Sequence, residues 1–199
     1  MTAPIELFFD FASPYAWFAL SPLRRLAAAH GRIVNLRPML LWAVLQQRQM
    51  PAPMDNAAKK AYLLHDMDRS ARYHGLEFRL PDPFPTSSHL PARLLLQIDD
   101  PQRADDFADA ILEAYFKRNL DLREPRAIVE VACGVGLDPA WSEQALSSEH
   151  GKSLLKQSNA AALDAGVWGS PFILVDGEAY FGSDRIPQIA LQLASSARL

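Results

Sequence analysis

The sequence predicts an α/β protein in which a small sheet, contributed by the two ends of the chain, is interrupted by a long helical insertion. Three observations predict it. A β-α-β pattern occupies roughly the first 40 residues, an almost unbroken helical pattern runs from about Leu41 to about Ala165, and a hairpin followed by a helix closes the chain.

The first strand is Ile5-Glu6-Leu7-Phe8-Phe9-Asp10-Phe11, short and rich in strand formers, as a buried strand should be. Ser13-Pro14 follows. Serine is a good N-cap, and proline suits the first helical position because its missing N–H would be unpaired there. Ala16, Leu20, Leu23 and Ala27 then recur at helical spacing, and Gly31 marks the helix end. A second strand begins at Ile33 to Leu36 and stops near Pro38. Two strands joined by a helix are expected to be parallel.

In the middle, Asp55–Tyr73 carries apolar positions three and four apart. Pro81-Asp82-Pro83-Phe84-Pro85 reads as a stiff loop. Further helices are expected over Leu90–Ile98, Gln102–Asn119, Pro125–Val135, Pro139–Ser147 and Gly151–Ala165. Near the end, Phe172–Val175 and Ala179–Phe181 flank Asp176-Gly177, a strong hairpin-turn signal, and a helix is expected over Arg185–Ala194. This order fits a thioredoxin-like fold with a large inserted all-helical domain: residues 1–40 and 166–199 form the sheet domain, and residues 41–165 form the insertion.

Composition narrows the function classes. Hydrophobic residues make up 49% and charged residues 22% of the 199, ordinary for a packed globular protein. Twenty basic against 23 acidic residues leave a charge of −3, which gives no electrostatic reason to expect a nucleic-acid partner. No apolar run approaches the ~18 residues that span a bilayer. The N-terminal stretch lacks a basic region and carries Glu6 and Asp10, so it reads as a strand rather than a signal peptide. Cys133 is the single cysteine, so there is neither an internal disulfide nor a CxxC pair. Both facts favour a cytoplasmic protein. The terminal Ala197-Arg198-Leu199 loosely resembles a peroxisomal address, a match short enough that chance explains it better. The five histidines show no paired ligand spacing, and no metal centre is expected. Cys133, in an apolar helix, reads as a buried inert thiol. Trp42 and Trp141 read as packing residues.

Three places could carry chemistry. Ser13 sits at a helix start, where unpaired N–H groups and the positive end of the dipole favour an anion. Its hydroxyl could donate to a bound thiolate, but it could not itself exchange disulfides; its plain structural role is a cap. Ser170-Pro171 precedes a strand, where a thioredoxin-like fold usually has a cis proline. The residue before that proline then offers backbone N–H and C=O to a peptide ligand as an added strand would. Val167-Trp168-Gly169 would form the loop facing Ser13. Finally, Ser183 and Asp184 in Phe181-Gly182-Ser183-Asp184-Arg185 could simply cap a helix, or could bind an α-amino-acid group through a carboxylate and a hydroxyl.

Taken in order, Phe9-Asp10-Phe11-Ala12-Ser13-Pro14-Tyr15-Ala16-Trp17, Gly169-Ser170-Pro171-Phe172 and Phe181-Gly182-Ser183-Asp184-Arg185 closely resemble the 2-hydroxychromene-2-carboxylate isomerase family, a branch of the DsbA-like proteins related to kappa-class glutathione transferases. The resemblance covers essentially the whole chain. It implies reduced glutathione as cofactor, with Ser13 stabilising its thiolate, Ser170 and Pro171 presenting the backbone to its cysteinyl part, and Ser183 and Asp184 holding its γ-glutamyl end. Trp168 belongs to the same loop. Lys59-Lys60 resembles the segment where the family has a lysine near the glycine end, with two adjacent candidates for one position; without that context, both lysines would read as solvated. Tyr15 and Trp17 could line an aromatic substrate pocket, joined by Phe84 and Ser87 from a loop resembling the family's proline-asparagine loop, Ser87 standing where asparagine is usual. Gln49-Met50-Pro51 stands where members often carry Gly-Asn.

The resemblance implies an isomerase that interconverts 2-hydroxychromene-2-carboxylate and trans-o-hydroxybenzylidenepyruvate by reversible thiolate addition, in the breakdown of naphthalene-type aromatics. It also implies a homodimer and a small aromatic substrate, with no membrane partner. A kappa-like transferase or peroxidase, or a non-catalytic glutathione binder, are the alternatives. The missing CxxC nearly excludes a thiol oxidoreductase.

Overall fold

The computed structural model describes residues 3–196, so the terminal Ala197-Arg198-Leu199 lies outside the described residues. A four-stranded mixed sheet runs in the order β2-β1-β3-β4. β1 (Ile5–Phe9) and β2 (Val34–Pro38) are parallel and joined by α1 (Pro14–Ala29); β3 (Phe172–Val175) lies antiparallel to β1, and β4 (Glu178–Phe181) antiparallel to β3. The hairpin turn is Asp176-Gly177, with positive φ at both residues, as a two-residue turn matched to strand twist requires. A short 3₁₀ turn, Ser183–Arg185, leads into α9, Ile186–Ser196.

Between β2 and β3 the described elements are all helical: α2 (Leu41–Gln47), α3 (Ala57–Tyr73), α4 (His89–Leu95), α5 (Pro101–Arg118), α6 (Pro125–Gly134), α7 (Pro139–Ser147) and α8 (Glu149–Asp164). Their starts are written in local chemistry. Asn56, Asp100, Glu124, Asp138 and Ser148 each accept a first-turn N–H at the N-cap, and α5, α6 and α7 begin with proline.

Alternation along β1 divides the interior. Ile5, Leu7 and Phe9 join Ile173, Val175 and Tyr180 in the larger core, with α1, α4 and α5. Phe8 and Phe172 point to the other face, against Met39, Val44, Ala162 and Val167. The crossover from β2 into the insertion is pinned by four bonds: Met39 N–H to Phe9 O (2.8 Å), Ser158 Oγ to Pro38 O (2.7 Å), Leu40 N–H to Asn159 Oδ1 (2.9 Å) and Leu41 N–H to Asp10 Oδ2 (2.7 Å).

The structure corrects several readings. β1 stops at Phe9 because Asp10 turns its carboxylate onto the N–H of Ala12 instead of continuing the ladder. The seven-residue α2 is too short to show a period of its own in the sequence. Cys133 is exposed, not buried: α6 buries Ile128 and Ala132, and the next position turns to solvent. Trp42 is also exposed. Among the described residues no helix is long and apolar enough to cross a membrane.

Candidate active site

Ser13 ends the turn after β1 and caps α1. Its backbone is extended (φ −94°, ψ 113°), its Oγ accepts the Ala16 N–H at 3.4 Å, and Pro14 fills the first helical position. The hydroxyl proton is used elsewhere: Ser13 Oγ donates to the main-chain carbonyl of Ser170 at 2.9 Å. The Ser170-Pro171 bond is cis, and Pro171 is buried at the head of β3. Ser170 Oγ in turn accepts the Asp10 N–H at 2.9 Å. The two sequence signals thus meet directly, and both serines are largely buried.

Beside them lies a cleft of about 570 Å³, within the usual range for small-ligand sites. One wall is Tyr15 of α1 with Tyr62, Leu63, Asp66 and Ser70 of α3; the other is Ser170 and the run Phe181–Arg185. Tyr15 Oη donates to Asp66 Oδ2 at 2.6 Å, which ties α1 to α3 across the cleft, and Arg69 bonds both Asp66 and Tyr62 Oη. Burial would raise the Asp66 carboxyl, but the donors Tyr15 and Arg69 outweigh it and hold it below the usual range. Burial, and then Asp66, push the Tyr15 phenol up, so Tyr15 stays a protonated donor. A larger groove of about 720 Å³ runs between β2, α5 and α8, but Ser170 does not line it; the smaller cleft is lined by Ser170, and Ser13 sits behind that lining, joined to it by its hydrogen bond to the Ser170 carbonyl.

The opposite wall depends on two glycines. Gly182 has φ 107° and ψ 153°, a region essentially closed to other residues, and a Cβ there would also strike the Asp184 carboxylate. A Cβ on Gly169 would overlap the Phe181 ring, which packs against Trp168 in a tilted pair with centroids 4.2 Å apart. Trp168 and Phe181 thus form a half-exposed aromatic ledge beside Ser170. Ser183 and Asp184 line the cleft, with Asp184 ion-paired to Arg185.

The insertion contributes unevenly. Tyr62, Leu63, Asp66 and Ser70 share one face of α3, and at 100° per residue Lys59 lies on that face one turn nearer the N-terminus, whereas Lys60 is turned away. Trp17 does not line the cleft: it is buried and stacked on Phe116 at 5.3 Å, because its position on α1 faces α5. Phe84 packs against the core, and Ser87 pairs with His89 Nδ1 at 3.0 Å; neither lines the cleft. The neighbouring Ser88 reaches inward instead, donating to Asp10 Oδ1 at 2.5 Å.

Sequence reasoning missed Asp10 as a site residue, the α3 face, and Arg48. Arg48 donates to Val167 O (2.6 Å) and Leu163 O (2.7 Å), fixing the loop that carries Trp168 at the C-terminal end of α8. The α3 face had a usable signal in its three- and four-residue spacing. The long-range Asp10 and Arg48 contacts span 31 to 160 residues, so no local pattern announces them.

A model of the DSBA-like thioredoxin domain matches residues 4–194. Among curated proteins, glutathione S-transferase kappa 2 of Caenorhabditis elegans is 27% identical over 96% of this chain and 91% of its own length. A 2-hydroxychromene-2-carboxylate isomerase of Sphingobium xenophagum is 26% identical over 94% of this chain and 95% of its own. Among solved structures, a 2-hydroxychromene-2-carboxylate isomerase superposes with a TM-score of 0.90 at 21% identity, covering 98% of this chain and 97% of that one, which establishes the same fold.

Proposed function

The chain belongs to the DSBA-like thioredoxin domain family, and from that premise we propose that it is a glutathione-dependent enzyme working through Ser13. The observation that carries the reading is the Ser13 hydroxyl at the start of α1, 2.9 Å from the carbonyl of Ser170, the residue through which it meets a cleft of tripeptide size. With one cysteine, the chain cannot cycle a dithiol of its own.

The residues present suit glutathione. It carries two carboxylates, one ammonium and one thiol. Asp184 has acceptor sites for an ammonium as well as for Arg185, Ser183 offers a hydroxyl, and Arg185 and Lys59 offer positive charge for carboxylates. Ser170 presents backbone next to the cis proline, and Trp168 with Phe181 supplies an apolar ledge. When bound, glutathione supplies the nucleophilic thiolate, regenerated at the end of an isomerisation and kept on the product in a transfer.

The chain's own part is activation and orientation. Ser13 has one proton to donate, and it rotates from the Ser170 carbonyl toward sulfur when an anion arrives. The first-turn N–H groups of α1 add positive potential at the same point. Tyr15, protonated and anchored by Asp66, keeps α1 and α3 at a fixed separation.

The reading includes the reaction of the isomerase relatives: interconversion of 2-hydroxychromene-2-carboxylate and trans-o-hydroxybenzylidenepyruvate, or a close analogue, in aromatic catabolism, by a cytoplasmic homodimer. A second reading, a kappa-like transferase, is favoured by the 27% identity to the Caenorhabditis elegans kappa protein. The test compares wild type and Ser13→Ala in the chromene–benzylidenepyruvate interconversion with and without glutathione. Turnover that needs both, with glutathione recovered, supports the isomerase; glutathione consumed on an electrophile supports the transferase. Turnover indifferent to both would overturn the proposal.

A further inference from the structure

Asp10 is a carboxylate with almost no access to solvent, three residues before Ser13. Its bonds lead to both serine loops of the site and to two segments of the helical insertion. Oδ1 accepts the Ala12 N–H (2.8 Å) and the Ser88 hydroxyl (2.5 Å), Oδ2 accepts the Leu41 N–H (2.7 Å), and its own N–H donates to Ser170 Oγ (2.9 Å). Its carbonyl accepts the Ser13 N–H at 2.9 Å. One residue therefore joins the Ser13 turn, the Ser170 loop, the first turn of α2 and the segment leading into α4.

Three donors converging on two oxygens is the pattern an ionised carboxylate satisfies. Burial pushes this carboxyl up from its usual range, and the bonds from Ser88, Ala12 and Leu41 pull it back only in part, so it stays raised. The buried phenol of Tyr115, on α5, also feels the Asp10 charge. A charge kept in such a place costs free energy, and simple tethering of the insertion would not need it. Tethering is already supplied by Ser158, Asn159 and Met39.

We infer that Asp10 is a positioning residue: its carboxylate fixes the Ser13 turn against the Ser170 loop, and so sets where the Ser13 hydroxyl can deliver its proton. This rests on the reading of Ser13 as the group that stabilises a bound thiolate. Asp10 itself touches neither substrate nor cofactor in this scheme.

The sign of one measurement separates positioning from charge. A buried negative charge near a thiolate would raise that thiol's pKa, so if Asp10 acted through its field, Asp10→Asn would lower the pKa of bound glutathione. If Asp10 acts through Ser13, the same variant loosens the Ser13 donor and raises it. Asparagine is isosteric, but its amide sets a donor against one of the present donors.

The experiment has two arms. First, the ligand-free crystal structure of Asp10→Asn is expected to show Ser13 Oγ beyond hydrogen-bond distance of Ser170 O; a separation unchanged from wild type overturns the inference. Second, ultraviolet titration of bound glutathione is expected to show the thiol pKa raised by about one unit, with kcat down about tenfold or more and a smaller change in KM. A lowered or unchanged thiol pKa overturns it. Where Asp10→Asn does not fold, Ser88→Ala removes one of the three donors and is expected to move both readouts in the same direction by less; no movement in either overturns the inference. If wild type binds no glutathione, the functional reading fails, and the ligand-free structure still decides for or against Asp10.

Discussion

Ser13 Oγ donates to the carbonyl of Ser170 across 157 residues of sequence, at 2.9 Å. The same two loops are also joined by the Asp10 N–H, which donates to Ser170 Oγ, but the Ser13 bond is the one made by a side-chain proton. That proton is the chemical resource of the site, and its resting place is a neutral carbonyl that a thiolate would outcompete, since bonds to a charged acceptor are roughly twice as strong.

Trp17 is expected to be a stability residue. It stacks on Phe116 and packs beside Phe78 in the core. Trp17→Ala should cost about 3–5 kcal/mol, the usual loss for a large buried aromatic, read from denaturant unfolding. Trp17→Phe, in the folded protein, should leave the KM for glutathione within about twofold of wild type, because no cleft contact is removed.

The two adjacent lysines should behave differently. Lys59 shares the α3 face of Leu63 and Asp66, and Lys60 does not. Lys59→Ala is expected to weaken glutathione binding about 1.5- to 5-fold, the scale of one exposed charge pair, measured by calorimetry. Lys60→Ala should bind as wild type does. The reverse ranking would place the glycine end of the cofactor elsewhere.

Much of the fold is legible in the sequence because its cues are local. Ser13-Pro14, Asp176-Gly177 and the capped helices of the insertion each announce themselves within a few residues. The Ser13, Ser170 and Ser183 turns were also legible, as an ordered set of motifs. Direction on a helix was harder. Tyr15 and Trp17 are two positions apart on α1, so one faces the cleft and the other the core, and an aromatic-rich run does not say which. Ser87 and Ser88 pose the same difficulty in a loop, where no period exists to decide between them; Ser88 is the one that reaches Asp10. The clamp on Asp10 is assembled from segments 31, 78 and 160 residues away, and only the folded chain brings them together.

Acid stability should report the Arg32–Asp176 fork, which joins the α1–β2 loop to the β3–β4 hairpin with two bonds of 2.8 Å. The Arg32 guanidinium holds the Asp176 carboxyl below its usual range. A depressed carboxylate contributes stability that is present above its unfolded pKa, about 4, and is lost as pH falls through the lower folded value. Asp176→Asn, which also tolerates the positive φ of this position, should cost about 0.5–1 kcal/mol at pH 7, allowing for solvent screening. The difference from wild type should shrink toward zero by about pH 2. A difference that persists undiminished in acid would assign the effect to the turn rather than to the ion pair.

The most direct test of the central claim is the ionisation of glutathione bound to the wild-type protein and to Ser13→Ala, followed by thiolate absorbance as pH is varied. A free thiol titrates near ~8.5. The wild-type complex is expected to titrate about one to two units below the Ser13→Ala complex, the worth of one hydrogen bond to a charged group. Identical titration curves for the two complexes would contradict the role assigned to Ser13.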